Sequence, residues 1–213
     1  MEVIFDFWVY VMPPWKYRIK EFTILYITKS TDEDISLIHG VFLPPYDYTL
    51  LENEVKEHYK EKQAKYGIPW EAGNLKVKSQ KAIISDHLVS ADVIYVRNTL
   101  NENILNRLIA INPTVKVIAL EEELGYDGKV MKTYCQYHDD RDNNYCTTDN
   151  SKHMYHWLKC RIERLKRPRE KSCERSYYVS NKKCINFRIQ SKLHSHETDE
   201  QKSNFKICFN GQT

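Results

Sequence analysis

The sequence predicts an α/β domain with a mixed five-stranded sheet flanked by helices, followed by a basic, largely disordered C-terminal tail. Three observations carry that prediction. Three apolar runs come first, separated by Pro-rich or polar breaks, which suits an antiparallel meander. Helical and strand-like periods then alternate, which suits parallel strands joined by crossover helices. Finally, charge divides along the chain: residues 1–158 carry 18 Lys/Arg and 23 Asp/Glu, whereas residues 159–213 carry 14 and 6.

The first run, Val3 to Val11, is apolar almost throughout and reads as a strand buried on both faces, with Asp6 its single charge. Pro13 and Pro14 end it. Tyr17 to Thr28 forms a second strand around Phe22, Ile24, Leu25 and Ile27. Thr31–Asp34 reads as a turn, and Ile35 to Leu43 as a third strand closed by Pro44 and Pro45. Thr49-Leu50-Leu51-Glu52 is a capping-box pattern, and Leu51, Val55 and Tyr59 follow at helical spacing until Gly67. A second helix spans about Ser79 to Ser90. Val93 to Val96 is a short buried strand. Thr99-Leu100-Asn101-Glu102 is another capping box, with Ile104, Leu105, Leu108 and Ile109 on the buried side of its helix. Val115 to Leu120 is the fifth strand. Residues 126–148 are polar and irregular, and a last helix spans about Asn150 to Leu165, with Met154, Ile162 and Leu165 inward.

Right-handed crossovers place the fourth and fifth strands beside the first. That order is the layout of the ribonuclease H-like fold, assigned here to residues 1–165. Residues 166–213 lack a periodic apolar face and read as the disordered tail.

Composition excludes several classes. Hydrophobic residues make up 41% and charged residues 29%, enough for a folded core, while six Gly and seven Pro exclude collagen-like repeats. No apolar run reaches the ~18–20 residues of a membrane span. Glu2 and Asp6 stand where a secretory signal would be basic, so the expected compartment is cytosol or nucleus. Reduced thiols are the corresponding default.

Several segments resemble the DEDD-type 3′–5′ exonucleases: the first strand with its internal Asp6, then KEFTIL, GVFLPP, YGIPWEAG, VIYVRNTLNENIL and VIALEEELG. The resemblance covers about residues 3 to 160. More closely, the arrangement resembles a set of arthropod proteins associated with viral or transposon-derived genes, through Cys135-Gln136-Tyr137-His138, Cys146 and Trp157-Leu158. No activity is established for that set.

The exonuclease resemblance implies a two-metal site holding Mg²⁺ or Mn²⁺ on carboxylates. Carried over residue by residue, Asp6 takes the first acidic position, Glu102 the third and Asn150 the last, with Asp149 beside it. Trp8 stands where the first strand should supply its second carboxylate. The set is therefore depleted, which implies a catalytically degenerate relative. Two alternatives stay open: a working metal-dependent exonuclease with a rearranged acidic set, and a viral accessory or structural protein without nucleic-acid contact.

Two further groups stand out. Cys135, His138, Cys146 and His153 could supply four ligands to a structural zinc, the first pair at chelate spacing. The alternatives are reduced, partly buried thiols beside solvated histidines, or a disulfide. Arg161, Arg164, Lys166, Arg167, Arg169 and Lys171 form a basic run able to neutralise phosphates, and a solubilising tail is its plainer reading. A protein partner is equally open, and a membrane is not expected.

Overall fold

The computed structural model describes residues 1–12, 16–27, 35–109, 113–128, 137–138 and 145–166. Its strands are β1 (Glu2–Met12), β2 (Lys16–Ile27), β3 (Ser36–Val41), β4 (Val93–Val96) and β5 (Lys116–Ala119). The helices are α1 (Asn53–Tyr66), α2 (Gln80–Leu88), α3 (Thr99–Leu108), α4 (Leu120–Leu124) and α5 (Thr147–Lys166). The sheet order is β3-β2-β1-β4-β5. β1 is antiparallel to β2 and parallel to β4, β2 is antiparallel to β3, and β4 is parallel to β5. Asp6 thus sits on the central strand, as the meander followed by alternating elements requires.

Alternation along β1 divides the core between the two faces of the sheet. Val3, Phe5 and Phe7 pack with Ile84 and Leu88 of α2 and with Ile104 and Leu105 of α3. On the other face, Ile4 packs with Met154, Tyr155 and Leu158 of α5. Trp8, Tyr10 and Met12 pack with Val55 and Tyr59 of α1 and with Trp70. Asp6 therefore lies between two apolar clusters on one face.

The register slips once. Trp8 pairs with Glu21 and Val9 with Ile19, which leaves Lys20 unpaired in a β-bulge. Lys20 is fully buried, and its Nζ donates to the carbonyls of Phe42, Trp70 and Ala72 at 3.2, 2.5 and 2.7 Å. Burial pushes its pKa down to about 7. The bulge thereby clips the segment around Trp70 to the sheet.

Several local expectations are corrected. Thr49 does not cap α1: Asp47 accepts from Thr49 N, a short 3₁₀ turn intervenes over Tyr48–Leu50, and α1 starts at Asn53. Gly67 does end α1, in the left-handed region at φ 68° that glycine adopts without strain. Asn98, not Thr99, caps α3, its side chain accepting from Asn101 N at 3.1 Å. α4 follows β5 directly and was not expected. α5 begins at Thr147, and its end projects outward: Ile162 is 39% and Leu165 78% exposed, so neither is inward.

No helix among the described residues is long and apolar enough to cross a membrane. Residues 167–213, and with them most of the tail, lie outside the described residues.

Candidate functional site

The site gathers on the sheet face covered by α5. Asp6 pairs with Thr23 across β1 and β2, and Thr23 with His39 across β2 and β3. Trp8 pairs with Glu21. These residues lie two apart along their strands, so Asp6, Trp8, Glu21, Thr23 and His39 share one face. The start of α5 closes over them. Thr147 and Thr148 place their hydroxyls 2.9 and 3.0 Å from Thr23 Oγ1.

Asp6 is buried, with 1% of its surface exposed. Arg97, just beyond β4, donates from its Nη2 to Asp6 Oδ2 at 3.4 Å. The Arg97 guanidinium also lies 4.0 Å from the centre of the Tyr145 ring, a cation–π contact that holds it in place. Burial pushes the Asp6 carboxyl up from 3.8 to about 6, against the pull of Arg97 and with the nearby Glu21 charge adding to the rise. Asn150 is buried beside it. Asn150 Nδ2 has no hydrogen-bond partner, so its effect on Asp6 is a weak dipolar one rather than a formed bond.

Of the carried-over acidic positions, Asp6 and Asn150 come together. Glu102 is half-buried in the first turn of α3, and the groups acting on Asp6 are Arg97, Glu21, Asn150 and Cys146 instead. Asp149 is half-buried one residue before Asn150. Trp8 fills its space with an indole stacked on Tyr66, at 4.5 Å between centres and 4° between planes.

The residue that sequence reasoning missed is Glu21. It is fully buried and gathers five contacts. Its Oε1 meets His39 Nε2 at 2.9 Å, His138 Nε2 at 3.0 Å and Cys146 Sγ at 3.7 Å. Its Oε2 accepts from Trp8 Nε1 at 3.1 Å and from Thr147 N at 3.4 Å. Burial would raise the Glu21 carboxyl, but the bonds from His138 and His39 prevail and hold it down at about 2. Burial likewise works against the charge on His138, yet Cys146 and Glu21 lift its pKa to about 10. His39 is raised for the same reason, through Glu21.

Glu21, His138 and Cys146 form a group that could hold a metal ion, their ligand atoms lying within 4.8 Å of one another. Two members of the set expected from sequence, His138 and Cys146, therefore do come together. His153 is placed elsewhere, its Nδ1 2.7 Å from the Tyr126 hydroxyl. Cys135 lies outside the described residues. Cys146 is a buried thiol that forms no disulfide, in line with the reduced-thiol expectation.

Of the basic run, Arg161 and Arg164 are exposed on the projecting end of α5, and the Arg161 guanidinium lies 5.5 Å from the Trp157 ring centre. Lys166 is the last residue of α5. Arg167, Arg169 and Lys171 lie outside the described residues. No protein-family model matches the chain, and no curated protein matches it.

Proposed function

We propose that this chain is a ribonuclease H-like domain that has lost two-metal nuclease chemistry and acts as a nucleic-acid-binding module. The observation that carries the reading is the state of Asp6. A catalytic carboxylate must face metal and substrate, but Asp6 is 1% exposed and its partner is the Arg97 guanidinium. A fixed cation already neutralises the charge that a divalent ion would need. Trp8, stacked on Tyr66, occupies the place of the second carboxylate, and Asn150 offers no charge. In this reading the trio of Glu21, His138 and Cys146 supports structure rather than chemistry.

Binding is assigned to the other end of α5. Arg161 and Arg164 project there, and the chain beyond is strongly basic. Such a segment suits phosphates, whose neutralisation releases counterions. An origin in viral or mobile-element genes fits the resemblance but rests on it alone.

One experiment tests both halves. Labelled single-stranded DNA and RNA are titrated with the full chain in Mg²⁺ or Mn²⁺ at several salt concentrations. The expected result is binding that weakens with salt and leaves the strands at full length. Shortened strands overturn the non-catalytic half. Absence of salt-dependent binding overturns the nucleic-acid half and leaves a protein as the partner.

A further inference from the structure

We infer that Glu21, His138 and Cys146 form a zinc centre that fastens the polar connection after α4 to the sheet. The argument starts from the His138 ring. Its Nδ1 lies 2.5 Å from the Tyr66 carbonyl oxygen. A carbonyl only accepts, so Nδ1 carries the proton. In a neutral ring Nε2 then presents a lone pair, and that lone pair faces a carboxylate oxygen, Glu21 Oε1, at 3.0 Å. Two electron-rich atoms hold that approach only with a cation between them, either a second proton or a metal.

The surroundings favour the metal. Cys146 Sγ is 3.7 Å and His39 Nε2 2.9 Å from the same Glu21 oxygen. Ligands on a tetrahedral zinc, bound at 2.0–2.3 Å, sit roughly 3.3–3.6 Å from one another. Glu21 Oε1 lies 3.0 Å from His138 Nε2 and 3.7 Å from Cys146 Sγ, close to that edge, and the three ligand atoms lie within 4.8 Å of one another. A thiolate, an imidazole and a carboxylate are also a donor set that zinc takes and Mg²⁺ does not.

The outer contacts match as well. A metal-bound imidazole ordinarily donates its other N–H to a carbonyl or carboxylate, and His138 does so to Tyr66. A metal-bound carboxylate is ordinarily hydrogen-bonded on its free oxygen. Glu21 Oε2 accepts from Trp8 Nε1 and Thr147 N. The three ligands come from β2, the connection after α4 and the start of α5. One ion would therefore tie together three segments that lie far apart in the sequence.

The test uses the purified full chain. Metal content is measured after expression with zinc, and Co²⁺ is added to metal-free protein as a spectroscopic substitute. The expected result is about one zinc per chain and a Co²⁺ spectrum with a thiolate-to-metal band and tetrahedral intensity. Cys146→Ser should abolish the thiolate band, while His138→Ala should weaken zinc at least tenfold. His153→Ala should leave zinc affinity unchanged. Circular dichroism of each variant checks folding, and the wild-type cobalt spectrum stands independently of any variant. No stoichiometric zinc, or a cobalt spectrum without the thiolate band, overturns the inference. So does loss of zinc in His153→Ala, since it puts the ion on a different ligand set.

Discussion

Trp8 and Glu21 face each other across β1 and β2, and the Trp8 indole donates to Glu21 Oε2 at 3.1 Å. A carboxylate thus lies in the same layer as Trp8, supplied by the neighbouring strand. Its Oε2 accepts from the indole and a backbone N–H, and its Oε1 faces two imidazoles and a thiol.

That arrangement makes Glu21 a pillar of stability. Glu21→Gln leaves His39 and His138 without their counter-charge in a buried site and should cost about 3 kcal/mol or more in urea unfolding. Trp8→Phe removes one hydrogen bond while keeping most of the ring and should cost about 1 kcal/mol. A Glu21→Gln variant within 0.5 kcal/mol of wild type would show that the cluster does not form as described.

Lys20 offers a second check on the same bulge. Its ammonium serves three carbonyls. Lys20→Met keeps the stem but strips those acceptors of their donor, so stability should fall by about 3 kcal/mol. An unchanged thermal midpoint would contradict the clip around Trp70.

The strands and their order were legible because apolar runs broken by prolines mark β1 to β3, and the change of period marks the crossovers. The site was only half legible. Cys135, His138 and Cys146 announce themselves by spacing along the chain. Glu21 does not, because it lies 117 residues from His138 and 125 from Cys146 in sequence and meets them only through sheet register. The KEFTIL segment gave one overlooked signal: two adjacent charges inside an otherwise apolar strand, which the bulge at Lys20 turns into two buried ionic sites. The outward Ile162 and Leu165 were missed because a helical period does not reveal where the sheet beneath it stops.

The pH dependence of stability should carry the mark of Asp6. Its folded pKa, about 6, lies above the ordinary 3.8. The folded state therefore binds this proton more tightly than the unfolded chain does. The resulting stabilisation is complete below pH 3.8 and is lost as pH rises through about 6, amounting to roughly 3 kcal/mol. Glu21 acts in the opposite sense: held at about 2 against 4.5, it stabilises above pH 4.5 and loses that contribution as pH falls toward 2. Comparing Asp6→Asn with wild type cancels the Glu21 contribution. The variant should gain on the wild type by roughly 2.4 kcal/mol between pH 4 and pH 7. A flat difference would contradict the buried, proton-hungry Asp6.

Single-stranded nucleic acid should bind with an affinity that falls as salt rises, because the contacts are to phosphates. Arg161→Ala and Arg164→Ala should each reduce the slope of log K against log salt by about 0.7. Fluorescence anisotropy over a salt series reads this directly. Slopes identical to wild type would remove the end of α5 from the interface.

The central claim is that the Asp6 site is closed to nuclease chemistry, and the most direct measurement is digestion of end-labelled single strands by purified protein in Mg²⁺ and in Mn²⁺. With Asp6 paired to Arg97, Trp8 stacked on Tyr66 and Asn150 uncharged, the wild type should show no cleavage above background. Trp8→Glu alone should not restore it, because Arg97 still holds Asp6. Metal-dependent shortening of the strands by the wild type, abolished in Asp6→Ala, would contradict the account.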